Sequence, residues 1–366
     1  MRVALVHDYL NQRGGAERVF AHIARAFPDA PIYTALFDPR ATGDLIDPAR
    51  VRTSWLQRVP FANRAFRLFA PLYPSIFEGF DLSGFDTIVS STTAWAKGVR
   101  FGPGAVHVCY INTVSRFAFD YDRYVGALGF GTLARPFVRR LVRWDRAAAE
   151  RPTAYIANSH NVAARVRAYY GREAAVLHCP VDVDRFSAGD GRGEYFLAVS
   201  RLLPYKRIDV AIAACALAGV PLKVVGDGPA RRTLEGLAAG TRTEFLGPVG
   251  DAELRGLMQE ARAVIVPGEE DYGLVPLEAN ASGRPVLAYG GGGALETVVS
   301  GVTGELFAEQ SGASLAAMLR DFDPRRYDAG VLRAHALTFS PERFIERLRA
   351  IVEDVRSGRG GFEQQP

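Results

Sequence analysis

Short apolar runs recur along this chain, separated by stretches whose apolar residues return with helical spacing. Residues 3–6, 85–91, 105–111, 154–159 and 174–178 have the β-branched and aromatic character of buried strands. A helix is predicted from about residue 17 to 27, and Asn158 or Ser159 can cap another running to Tyr170. The alternation is regular in the second half. Strands are predicted at 195–199, 222–225, 244–246, 263–266 and 285–289. Helices are predicted at 208–217, from Pro229 to about 238, at 251–260, at 274–282 and through Val299, with a last one near 341–355. Strands alternating with helices predict the α/β class, with parallel sheets covered on both faces.

At 366 residues the chain exceeds one ordinary core, so two similar α/β domains are expected. Residues 180–193, ending in a Gly/Asp/Arg-rich run, make the best linker. That divides the chain into 1–180, 181–340 and a terminal helix with a disordered tail, 341–366. Hydrophobic residues at 48% and charged ones at 23% are the balance of a soluble globular protein. Cys109, Cys179 and Cys215 stand far apart, which argues against a disulfide framework or zinc site and fits a reducing compartment. The first strand follows Met1-Arg2 directly, so no secretory leader is expected, and the apolar run 210–222 is too short to span a bilayer. The expectation is a cytoplasmic protein.

Charge is uneven. Residues 1–178 hold 23 Arg/Lys against 14 Asp/Glu, a net +9, while the remainder is −5. Two acid-free segments carry much of the excess. Residues 52–77 interleave four arginines with Trp55, Phe61, Phe66, Phe69, Tyr73 and Phe77. Residues 123–144 hold Arg135, Arg139, Arg140 and Arg143 beside Phe137 and Trp144. Such segments suit either peripheral membrane contact or an ordinary helix pair, basic outside and aromatic inside. No RNP-like, zinc-finger or helix-turn-helix pattern accompanies them, so nucleic acid is not an expected partner.

Candidate chemistry gathers where strands end. The run Pro267-Gly-Glu-Glu-Asp-Tyr-Gly-Leu-Val-Pro-Leu-Glu278 links a strand to a helix, at the edge where open α/β sheets bind ligands. Glu270 falls on the loop, Glu278 one turn into the helix, and the N–H groups of Gly273, Leu274 and Val275 could meet an anion. The acids alone would also fit a helix-dipole device. Arg201 and Lys206, about five residues apart after another strand, can neutralise a diphosphate, the one as a fork and the other as a point charge. Gly14 and Gly15 open the first helix and permit close ligand approach, but they do not form Gly-x-Gly-x-x-Gly. Cations and carboxylates on one sheet edge suit a ligand with both phosphates and hydroxyls, such as a nucleotide sugar. Neither Gly-x-Ser-x-Gly nor His-Glu-x-x-His occurs. Of six scattered histidines, His7 is the most site-like, while His107 and His178 read as structural.

These residues carry a family resemblance. Gly14-Gly15-Ala-Glu, Val199-Ser-Arg201-Leu-Leu-Pro-Tyr-Lys206-Arg-Ile-Asp209, Val225-Gly226-Asp-Gly-Pro229 and Glu270-x7-Glu278 resemble glycosyltransferase family 4 in order along nearly the whole chain. Tyr155-Ile-Ala-Asn-Ser159 and the run from Gly290 to Glu296 are similar to its mannosyltransferase-like branch from bacterial polysaccharide biosynthesis. The resemblance implies the GT-B fold: two Rossmann-like domains facing across a cleft, acceptor side first and nucleotide-sugar side second, with the last helix crossing back. It implies retaining transfer of a hexose, by front-face attack or through a covalent intermediate. The donor would be a nucleoside-diphosphate sugar (GDP-mannose favoured, a UDP-sugar the alternative), and the acceptor a lipid-linked or polysaccharide glycan. A peripheral place on the inner face of the membrane is what the basic aromatic segments 52–77 and 123–144 allow. Arg201, Lys206 and Gly226 would serve the donor diphosphate, Glu278 the ribose and Glu270 the transferred sugar. The Gly14-Gly15 loop would face donor and acceptor, and no metal or separate cofactor is implied. One departure stands out. Relatives in this branch often read Tyr-Cys-His-x-Pro-x-Arg after the first domain's strand, whereas this chain reads Tyr110-Ile-Asn112-Thr-Val114-Ser-Arg116. Asn112 can bond a sugar hydroxyl but cannot carry a proton. A catalytically degraded module that binds nucleotide sugar or a partner, and a GT-B hydrolase or epimerase, stay open beside the transferase.

Overall fold

A computed structural model describes residues 1–115, 135–189 and 194–359. Expectations for residues 116–134, for 190–193 of the linker and for the tail from residue 360 lie outside them. The chain forms two compact units, Met1–Cys179 with Glu342–Pro366 and Pro180–Pro341.

The first unit holds seven parallel strands: β1 Val3–His7, β2 Ile32–Thr34, β3 Val51–Thr53, β4 Thr87–Thr92, β5 Val106–Ile111, β6 Ala154–Ala157 and β7 Ala174–Val176, in the order β3-β2-β1-β4-β5-β6-β7. The second holds six: β8 Phe196–Val199, β9 Leu222–Val225, β10 Thr243–Gly247, β11 Ala263–Val266, β12 Val286–Tyr289 and β13 Gly304–Phe307, in the order β10-β9-β8-β11-β12-β13. All pairings within them are parallel, with Val3 opposite Thr87 on β1 and β4, and Ala263 opposite Phe196 on β11 and β8. The central strands β1, β4 and β5 are buried almost throughout, polar residues such as Ser90 and His107 included, because helices cover both faces. β2, β3 and β13 are absent from the sequence reading. Each spans only three or four residues, and β3 is half-buried or exposed along its length, so no apolar run marks it.

In each sheet the chain departs from one strand in both directions, from β1 toward β2 and β4 and from β8 toward β9 and β11. The loops leaving those carboxyl ends diverge, and a crevice opens at the reversal. The candidate residues meet there.

Two readings change. Residues 180–186 are packed into the second unit and do not form a free linker: Val181, Val183 and Phe186 are buried, and the Val181 N–H donates to the Phe339 carbonyl. The stretch 52–77 is no helix of ordinary length but a strap of short turns, Trp55–Arg58, Phe66–Phe69 and Tyr73–Glu78. It contains Phe61 in the left-handed region at φ 61°, which costs a residue with a Cβ about 1–2 kcal/mol. The last helix, Pro341–Arg356, belongs to the first unit, where Arg349 donates to the Ala26 carbonyl and Phe344 meets the Tyr110 ring edge-on.

Candidate active site

In the second unit, Ser200 and Arg201 follow β8, and the buried side chain of Leu202 roots the loop in the core. Leu202 exchanges backbone hydrogen bonds with Asp227 (2.9 Å) and Ala230 (3.0 Å) after β9. Gly226 lies at φ 124°, and a Cβ there would stand 1.9 Å from the Ser200 carbonyl oxygen; at Gly228 it would stand 2.4 Å from that of Leu202. These glycines let two loops lie against each other. Gly226, expected at the donor phosphate, thus seats the loop that carries Arg201.

A 3-10 turn over Pro204–Lys206 then presents Lys206 to the acidic loop after β11, where its ammonium lies against both carboxylate oxygens of Glu270. Both partners are largely buried, at 16% and 17% side-chain exposure, so the pair is only weakly screened by solvent. Two residues expected on different parts of a ligand therefore neutralise each other, and an incoming phosphate must share the Lys206 ammonium with Glu270. Arg201, on the same loop as Lys206, is exposed.

Arg207 follows at φ 52°, strained for a residue with a Cβ. Its guanidinium bonds Asp209 through Nε (3.1 and 3.2 Å) and Nη2 (3.1 Å), and through Nη1 reaches the Gln310 Oε1 at 2.9 Å. Gln310 Nε2 donates onward to the Pro267 carbonyl at 2.9 Å. Gln310 thus ties the cationic loop to the acidic one, and no pattern in the sequence marks it. Gly268 passes against the Lys206 backbone with no room for a Cβ, and the Gly293 N–H donates to the Glu270 carbonyl at 2.9 Å. Gly273 at φ 89° turns the chain into the helix Val275–Ala281, whose N-cap position is Leu274 and whose first turn has no side-chain cap. Glu278, one turn in, is buried.

In the first unit, Gly14 is the N-cap of the helix Gly15–Ala26, and its N–H donates to Glu17 Oε2 at 2.9 Å. Gln12 Nε2 bonds the other Glu17 oxygen at 3.1 Å. Buried Glu17 therefore places its own carboxylate at the helix start, the position expected for an external anion. At the end of β1, buried His7 stacks on Phe20 at 4.5 Å and its Nδ1 faces the Ser91 carbonyl at 3.0 Å. Since a carbonyl only accepts, Nδ1 carries the proton and Nε2 is an acceptor. Burial lowers the His7 pKa, outweighing the raising charges of Glu17 and Asp8.

Next to it, buried Asp8 accepts from the N–H groups of Thr93, Ala94, Trp95 and Ala96 and the hydroxyls of Thr92 and Thr93, all at 2.7–3.0 Å. Six donors on one carboxylate fix the loop after β4. That loop also carries Lys97, buried against Asp145 at 2.5 Å, while Tyr170 donates to the other Asp145 oxygen. Asn112, after β5, donates its amide to Ser91 Oγ (3.0 Å) and the Thr92 carbonyl (3.2 Å). With both amide hydrogens spent, Oδ1 is the group it retains for a ligand. An Asp directly after an apolar strand was a legible signal for Asp8. Lys97 and Asp145, 48 residues apart in sequence, offered none.

Two parallel α/β sheets with strand order reversing at β1 and β8 are the architecture of GT-B proteins. The Glycosyltransferase Family 4 model matches residues 13–185 and the Glycosyl transferases group 1 model residues 182–322. Together the two glycosyltransferase models span residues 13–322, one on each half of the chain. The chain is 36% identical over 220 residues to D-inositol 3-phosphate glycosyltransferase of Mycolicibacterium paratuberculosis, covering 50% of this chain and 49% of that one. It is 30% identical over 279 residues to the Streptomyces avermitilis protein of the same name, covering 66% and 58%. The chain thus spans about half the length of the curated relatives it matches. Among solved structures it resembles Anabaena HepE in complex with UDP (TM-score 0.69, 20% identity, 97% of this chain and 100% of that one). It also resembles sucrose-phosphate synthase from Thermosynechococcus elongatus (TM-score 0.73, 19% identity, 98% and 100%). At such identities these two likenesses establish the fold.

Proposed function

We propose that the chain transfers a hexose, with retention, from a nucleoside-diphosphate sugar to a lipid-linked or polysaccharide glycan, working peripherally at the inner face of a membrane. The observation that carries this is the pairing at the β8/β11 reversal: exposed Arg201 and part-buried Lys206 on one loop, Glu270 and Glu278 on the next. As the bond from the sugar's anomeric carbon to the diphosphate breaks, negative charge grows on the leaving oxygen. Arg201, Lys206 and the N–H groups of Gly273, Leu274 and Val275 would stabilise it. Glu278 would take the ribose hydroxyls and Glu270 a sugar hydroxyl. The acceptor hydroxyl bonds the anomeric carbon on the face the diphosphate left, and its proton passes to the departing diphosphate oxygen on that same face. The branch resemblance favours GDP-mannose. HepE, crystallised with UDP and with UDP-glucose, supports UDP-sugars as the alternative.

Calorimetry with UDP-, GDP- and ADP-sugars tests this. One of them should bind, and Arg201→Ala or Lys206→Ala should weaken it at least about tenfold, the scale of a lost charge-assisted bond; no binding of any would sink the reading. A second reading, a module that binds nucleotide sugar without transferring it, is favoured by Asn112, whose amide is committed to Ser91 and Thr92. Tight donor binding with no transfer to lipid extracts would select it.

A further inference from the structure

The strap over residues 54–78 has two sides. Leu56, Phe66, Tyr73 and Phe77 are buried in the apolar cluster above β1 and β4. Trp55, Phe61, Leu68 and Leu72 are exposed instead, Phe61 at 77% and Leu68 at 70%. Phe61 reaches solvent from a strained, left-handed backbone, so the fold bears a cost to place an aromatic ring outside its core. Among these apolar groups stand the exposed Arg58, Arg64 and Arg67, and no acid occurs from residue 48 to 77.

A second element shares this ground. The helix Arg135–Ala149 sets Leu141 and Trp144 into the same cluster, while its Arg139, Arg140 and Arg143 are exposed. Two segments some sixty residues apart in sequence thus cover one core with arginines outward. Two acids of these elements are spent: Asp145 is buried against Lys97, and Glu78 bonds Arg100, Arg151 and the Trp144 indole. Arginines of one sign around exposed aromatic and aliphatic groups match an anionic bilayer surface, where the cations meet lipid phosphates and the rings sink to the headgroup level.

We infer that this face of the first unit, with Trp55, Phe61 and Leu68 as apolar anchors among Arg58, Arg64 and Arg67, docks on an anionic lipid surface. It deepens the peripheral location proposed above, and vesicles free of donor and acceptor test it separately from transfer. The full chain is floated with vesicles of phosphatidylcholine, alone or mixed with phosphatidylglycerol. It should bind the anionic vesicles and bind neutral ones at least about tenfold more weakly. Arg58→Glu/Arg64→Glu/Arg67→Glu should lower anionic binding about tenfold or more, and Phe61→Ser/Leu68→Ser should lower it at every salt concentration. All these side chains are exposed, and near-ultraviolet circular dichroism confirms that each variant is folded. Absence of parent binding, or undiminished binding by both variants, would overturn the inference. So would a parent dimer that the same substitutions dissociate, since the face would then be a protein interface. Calorimetry with nucleotide sugars on the same samples separates the two ideas: a parent that docks but binds no donor defeats the transferase reading alone.

Discussion

Gly226 and Gln310 hold the charged loops of the candidate site in place. At Gly226 both the φ of 124° and the nearby Ser200 carbonyl exclude a side chain. Gly226→Ala should therefore cost about 2–4 kcal/mol and lower the denaturant midpoint of the second unit. Gln310 joins Arg207, the residue after Lys206, to the Pro267 carbonyl. Gln310→Ala is expected to weaken nucleotide-sugar binding about five- to tenfold, the worth of one or two hydrogen bonds, with little change in Tm. Gln310→Glu, which keeps the acceptor for Arg207 but loses the donor to Pro267, should recover part of that. Equal loss of stability and binding in both variants would make Gln310 structural only.

At the scale of elements, the loop after β4 is held by two buried carboxylates. Asp8→Asn turns one acceptor into a donor facing backbone N–H groups. It should destabilise the first unit by about 3 kcal/mol, read by chemical denaturation. Burial pulls the Lys97 ammonium down, but Asp145 and Tyr170 outweigh it and hold its pKa up. Lys97→Met leaves Asp145 charged and unpaired, a loss of about 3–5 kcal/mol, whereas Lys97→Met/Asp145→Leu removes both charges and should cost less than the single change. A double variant worse than the single one would show that the pair is net stabilising.

For the whole molecule, the two units should respond differently to acid. Burial lowers the His107 pKa from 6.5 to about 3 and moves that of His7 in the same direction. Between about 3 and 6.5 the unfolded chain binds a proton at His107 that the folded unit does not. Stability of the first unit therefore falls as pH drops below 6.5, by up to about 1.4 kcal/mol per pH unit for one histidine. Trp55, Trp95 and Trp144 all lie in that unit, so selectively excited tryptophan fluorescence follows its unfolding. His107→Gln should flatten the acid limb whatever it does to absolute stability.

Much of this was readable from the chain. Central strands such as β8 and β11 are continuous apolar runs because they are buried on both faces, and such runs are local. The glycines and charges at their carboxyl ends are local too, so Arg201, Lys206, Glu270 and Glu278 could be named from order and spacing. Edge strands such as β3 gain their conformation from a neighbour's hydrogen bonds, which leave no composition to read. The ion pair of Lys206 with Glu270, the commitment of Asn112 to Ser91 and Thr92, the bridge through Gln310 and the outward turn of Phe61 each join residues distant in sequence or depend on which side of a strap meets the core. Hydrophobic pattern determines which segments are buried; only the packed chain decides which polar groups are left to meet one another.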